Sequence, residues 1–115
     1  MANDKTVAIR DLNDRFRSGD KTVPGRALIT NGVQSLIEDN EIELHQLLGV
    51  VREFDEFNED NDPHNEHDFA AFEFLGFRLF WKFDYYSHNP KYGSDDPSDI
   101  EKTFRVLTIM LAEEY

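Results

Sequence analysis

The clearest pattern in the chain is the alternation over residues 69–86, FAAFEFLGFRLFWKFDYY. Reading Leu75-Gly76 as a two-residue turn pairs Phe74 with Phe77, Phe72 with Leu79 and Ala70 with Trp81. These six side chains then share one face with Phe83, and the small Ala70 stands opposite the bulky Trp81, as a filled core requires. The other face sets Glu73 against Arg78 and Phe69 against Lys82, which predicts an ion pair and a cation–π contact. The aromatic stripe of this hairpin reads as core.

Helical periods lie on either side of it. Ile9, Leu12 and Phe16 predict a helix over 5–18, with Asp4 as N-cap and Gly19 past its end. Ala27–Thr30 is short and apolar and predicts a strand, closed by the Asn31-Gly32 turn pair; Val33–Ile37 then suits a return strand or a helical turn, of which the turn is favoured. Leu44, Leu47, Leu48, Val51 and Phe54 form one stripe of a helix over 41–57, introduced by the capping-box pair Asn40 and Glu43. Gly49 inside that helix costs roughly 1 kcal/mol relative to alanine and suggests a close neighbour. Ile100, Phe104, Leu107 and Leu111 recur at helical spacing behind a second capping box, Ser98 with Glu101, and predict a helix over 98–114. Val106-Leu107-Thr108-Ile109 would also suit a strand. The expected fold is α+β, a single two-layer domain over 1–115. A small antiparallel sheet (hairpin 69–75/77–86 plus a short strand near 27–30) is covered by helices near 41–57 and 98–114, with the helix near 5–18 packing at the edge.

Composition narrows the classes of function. Among 115 residues there is no cysteine, which excludes a disulfide framework, a thiolate zinc site and a cysteine nucleophile. No apolar run reaches the ~18 residues of a membrane span and no signal-peptide core is visible, so a cytoplasmic protein is expected. The net charge is −12, from 24 acids and 12 bases, which argues against direct contact with a phosphate backbone. The charge is also concentrated. Residues 1–37 carry four acids and six bases (+2), residues 69–115 eight acids and five bases (−3), and residues 38–68 twelve acids against Arg52 alone (−11). Such a run is either a solvated face or a surface aimed at a basic partner.

The densest polar cluster, NEDNDPHNEHDF (58–69), invites a metal reading through His64, His67, Asp62 and Asp68. The spacing is not that of a helical HExxH site, and His67 falls where a calcium loop needs glycine. Asn61-Asp62-Pro63 reads equally well as a turn. Lys82, Asp84 and Tyr86 form a second polar set on the outer hairpin face, a salt-bridged surface or part of a pocket with the acidic loop. There is no GxSxG elbow, Walker loop or GxGxxG motif.

The strings LNDRFR (12–17), TNGV (30–33), NDPHNEHDF (61–69), WKFDYY (81–86), SDDPSD (94–99) and TFRVLTIMLAEEY (103–115) are together similar to a small bacterial domain-of-unknown-function family of alphaproteobacterial genomes and plasmids. The chain departs from that pattern at Ala70, where the family has glycine, and at Phe83, where it has isoleucine. The resemblance implies a bacterial cytoplasm and a link to mobile elements, and brings no catalytic residue or cofactor.

The expected function is therefore a non-enzymatic acidic interaction module without a cofactor. It would be a DNA-mimic inhibitor of a defence system, anti-CRISPR or anti-restriction, that meets the basic surface of a nucleic-acid-binding protein or nuclease complex. Glu53, Asp55, Glu56, Glu59, Asp60, Asp62, Glu66 and Asp68 are the expected contacts. The alternative is a small metal-dependent or acid–base enzyme using the 60–68 loop together with Lys82 and Asp84.

Overall fold

The computed structural model describes residues 4–115. Among them are helices α1 (Asp4–Arg17), α2 (Asn31–Asp39) and α3 (Leu44–Glu53), strands β1 (Gly25–Ile29), β2 (Phe69–Phe74), β3 (Phe77–Tyr86) and β4 (Phe104–Leu111), and a final 3₁₀ turn at Ala112–Glu114. The α+β class holds. The sheet has four strands in the order β1-β4-β3-β2 and is mixed rather than antiparallel, because β1 runs parallel to β4.

The β2–β3 hairpin has the register that its alternation predicts: Phe74 faces Phe77, Phe72 faces Leu79 and Ala70 faces Trp81. Leu75 and Gly76 both have positive φ, 56° and 80°, as the tight turn between twisted strands requires. Trp81 is fully buried, in contact with Phe54, Phe57 and Phe83. The outer face differs in detail. Glu73 and Arg78 are cross-strand neighbours without an ion pair among the described residues. Phe69 packs on Phe80 and Tyr115, and Lys82 binds Asp84 at 2.8 Å instead of lying over Phe69.

The predicted helix over 98–114 is not formed; residues 104–111 are β4, the strand between β1 and β3. A central strand is covered on both sides. Val106 and Met110 are buried on one face and Leu107 and Ile109 on the other, so the run loses its period of two. Its β-branched Val106, Thr108 and Ile109 favour the extended form. Ser98 does not cap a helix, because its hydroxyl and its N–H both go to the Asp96 carboxylate in a tight turn.

The helical turn over 33–37 belongs to α2, whose N-cap Thr30 accepts from the Val33 N–H. Glu114 reaches the same end, accepting from the Thr30 hydroxyl at 2.6 Å and from the Gly32 N–H at 3.2 Å. Asn40 closes α2 instead of opening the next helix. The capping box of α3 is Glu43 with Gln46, which moves its start to Leu44. Gly49 has no neighbour that a Cβ would meet within 4 Å, so the expected close approach is absent. The predicted N-cap of α1, Asp4, is the first described residue and lies within the helix.

Two substitutions should therefore raise stability. Gly49→Ala should add about 1 kcal/mol, because helix propensity is gained in open space. Leu75→Asn should add about 1 kcal/mol by relieving a left-handed backbone at a half-exposed leucine. Urea unfolding of each variant, with an unchanged m-value, checks both.

Candidate functional site

After α3 the chain turns outward, and the cause is Arg17 at the end of α1. One terminal nitrogen of its guanidinium donates to the carbonyls of Val51 (2.6 Å), Arg52 (3.2 Å) and Phe54 (2.8 Å), the carbonyls that a helix end leaves free. α3 therefore stops at Glu53 rather than at 57, and Phe54 adopts an extended backbone. The guanidinium lies 4.9 Å from the centre of the Trp81 ring and 5.4 Å from that of Phe57. Burial lowers its pKa, with the Asp14 carboxylate opposing, and the group stays charged.

The segment that leaves this clamp carries Glu53, Asp55, Glu56, Glu59 and Asp60, all exposed. Phe54 and Phe57 anchor it from beneath on Trp81. Beside it lies a groove of about 440 Å³, with Glu53, Phe54, Asp55 and Glu56 on one bank and Ala71 and Glu73 of β2 on the other. Glu73 joins the acidic surface although its place in a strand hid it.

The other three expected contacts face inward. Asp62 is buried; its carboxylate accepts the N–H groups of Glu66 and His67 and so ties the loop into a turn. Glu66 and Asp68 are half-buried, and burial pushes both carboxyls up, for Glu66 with the charge of Asp68 adding to it. Glu66 accepts from the Tyr85 hydroxyl at 3.3 Å.

His67, with φ +53°, binds Asp14 at 2.8 Å through Nδ1 and stacks flat on Phe57 at 3.7 Å between ring centres. His64 is exposed. Among the described residues no three His, Asp or Glu side chains stand together as a metal-ligating group. Lys82 and Asp84 pair on the opposite face of the sheet. Asp84 opens there into a hollow of about 510 Å³ with Arg26, Tyr86 and His88, which receives nothing from the 60–68 loop. The residues of the enzyme alternative are thus divided between the two faces.

Behind the loop, α1 joins a buried polar network that the sequence reading missed. Asn13, fully buried, donates to the Tyr85 hydroxyl at 2.8 Å and to the Glu66 carbonyl at 3.0 Å. It also accepts from Nε of Arg105 at 2.7 Å. Arg105 is itself fully buried, donates to the Pro97 carbonyl and lies 5.2 Å from the Tyr85 ring centre. Burial lowers the pKa of Arg105 and raises that of Tyr85, which keeps the phenol a proton donor. A signal was present: Arg105 is the one charge inside the apolar run FRVLTIML, and Asn13 lies on the apolar face with Ile9 and Phe16.

The family model for proteins of unknown function, DUF3768, matches residues 29–114. The chain belongs to this family. No curated protein and no solved structure matches it. Among the described residues, no helix is long and apolar enough to cross a membrane.

A carboxyl raised by burial is more easily protonated in the folded chain than in the unfolded one. Its effect on stability is thus most favourable below the unfolded pKa and is lost as pH rises through the folded pKa. Asp68→Asn should accordingly be more stable than the parent at pH 7, and the gain should shrink toward pH 4. Thermal melts at the two pH values check this.

Proposed function

We propose that this family member is a non-enzymatic interaction module whose exposed carboxylates bind a basic surface built to hold nucleic acid. In this reading it is a DNA mimic that blocks a defence nuclease of CRISPR or restriction type in a bacterial cytoplasm. The observation that carries the reading is the exposed set Glu53, Asp55, Glu56, Glu59 and Asp60 within eight consecutive residues. At ~3.3 Å per residue that segment spans at most ~26 Å, or one charge per ~5 Å. A single DNA strand carries one per ~3.4 Å. Glu73, across the groove, brings the local density closer to that value. The inward-facing Asp62 and Glu66 hold the loop that presents the surface, Asp68 is half-buried beside them, and the contact is left to the outer carboxylates. The bacterial and plasmid setting that the sequence resemblance implies supplies the mobile-element part of the proposal.

Affinity capture from a nuclease-treated bacterial lysate tests it. A basic nucleic-acid enzyme should be retained at low salt and released at high salt, since both surfaces are screened. A variant with Asp55, Glu56, Glu59 and Asp60 changed to Asn or Gln should lose that capture with an unchanged circular dichroism spectrum. Capture indifferent to the four substitutions, or the absence of any basic partner, would reduce the acidic segment to a solubility feature.

A further inference from the structure

The free edge of β2 offers more than charge. The pairs Phe74–Phe77, Phe72–Leu79 and Ala70–Trp81 are the hydrogen-bonded ones of the hairpin, because the pair closing a two-residue turn is hydrogen-bonded and bonded pairs alternate. The bond from the Phe83 N–H to the Asp68 carbonyl, 2.9 Å, has the same parity. The N–H and C=O groups of Ala71 and Glu73 therefore point away from β3. β2 has no strand on that side, and no hydrogen bond among the described residues takes these groups.

Edge strands in monomeric proteins are usually blunted by proline, lysine or a bulge, and β2 (FAAFEF) has none of them. Its only charge is Glu73. The acidic groove runs along this same edge, so a strand lying the usual ~4.8 Å from β2 has carboxylates on both banks. We infer that β2 accepts an extended arginine- or lysine-rich segment of a partner protein as a fifth strand of the sheet. This rests on the reading of the acidic surface for the partner's charge, and adds the binding mode. A second copy of the chain is a poor occupant. Pairing β2 with its own copy would set Glu73 and the 53–60 carboxylates of both chains against one another, and like charges across strands are destabilising.

Strand addition is recognised through the main chain, with alternate side chains selecting the sequence. The test uses the full chain and a synthetic peptide alternating Arg or Lys with Val or Thr. At saturation and low salt, hydrogen exchange at the amides of Ala71 and Glu73 should slow by about tenfold or more. The amide of Phe72, already bonded within the hairpin, should change little. Ala71→Pro removes one outward N–H at a position where an edge strand tolerates proline, and should weaken the peptide by about tenfold.

Peptide binding that leaves both amides exchanging freely overturns strand addition. If that binding is still lost in the four-amide variant, the acidic-surface reading stands without it. Absence of peptide binding also overturns strand addition, whereas the acidic-surface reading stands or falls on the lysate capture. Concentration-dependent protection without peptide, with dimers in light scattering, would assign the edge to a second copy and overturn the proposal. Should Ala71→Pro fail to fold, the exchange measurement on the unmodified chain decides.

Discussion

The placement of Arg17 is the constraint on which the acidic surface depends. A guanidinium at the end of α1 takes three carbonyls at the end of α3 while its central carbon lies 4.9 and 5.4 Å from the ring centres of Trp81 and Phe57. Breaking such a contact leaves helix carbonyls unpaired and a buried cation with the Asp14 carboxylate alone, which is far more costly than losing a surface ion pair. The clamp thus converts a core contact into a surface property. It ends α3, starts the extended segment at Phe54 and hands that segment to the aromatic floor beneath it.

A second consequence concerns how the polar interior is organised. Asn13, Asp14 and Arg17 lie within the last two turns of α1 and reach three different parts of the molecule: Arg105 and Tyr85, His67, and the end of α3. The family match begins at residue 29, after α1 and most of β1. The boundary of the family model's match is therefore not a boundary of the fold. Residues 29–114 alone would leave Arg105 without its Asn13 partner and β4 without the strand that shields its other edge.

What was legible in the sequence follows from how each element is buried. The hairpin has one wet face and one dry face, so its period of two survives and its register could be read to the residue. β4 has two covered faces, and with the alternation gone, an accidental helical spacing of Ile100, Phe104, Leu107 and Leu111 filled the gap. The α3 boundaries shifted for tertiary reasons at one end, through Arg17, and for a competing cap at the other. Of the candidate site, the exposed half was visible as a charge run. Charge alone does not distinguish Asp60, which faces water, from Asp62, which folds the loop, and it gave no hint that Glu73 would stand across a groove from Glu53, Asp55 and Glu56.

The position of β4 in the sheet also governs how this chain is completed during synthesis. β1 pairs with β4 in a register that joins Gly25 to Arg105, a separation of 105 − 25 = 80 residues. At about 5–20 residues per second, a ribosome delivers β4 on the order of 4–16 s after β1. The hairpin, finished at Tyr86, waits about 1–5 s of that interval for β4 to be delivered, and a two-stranded hairpin alone is marginal in water. By then residues 38–68 are already translated, with their net charge of −11, from twelve acids and one base. Mutual repulsion between such nascent chains opposes the edge-to-edge association that unfinished sheets invite. The acidic stretch thus comes before the strand whose absence makes it useful.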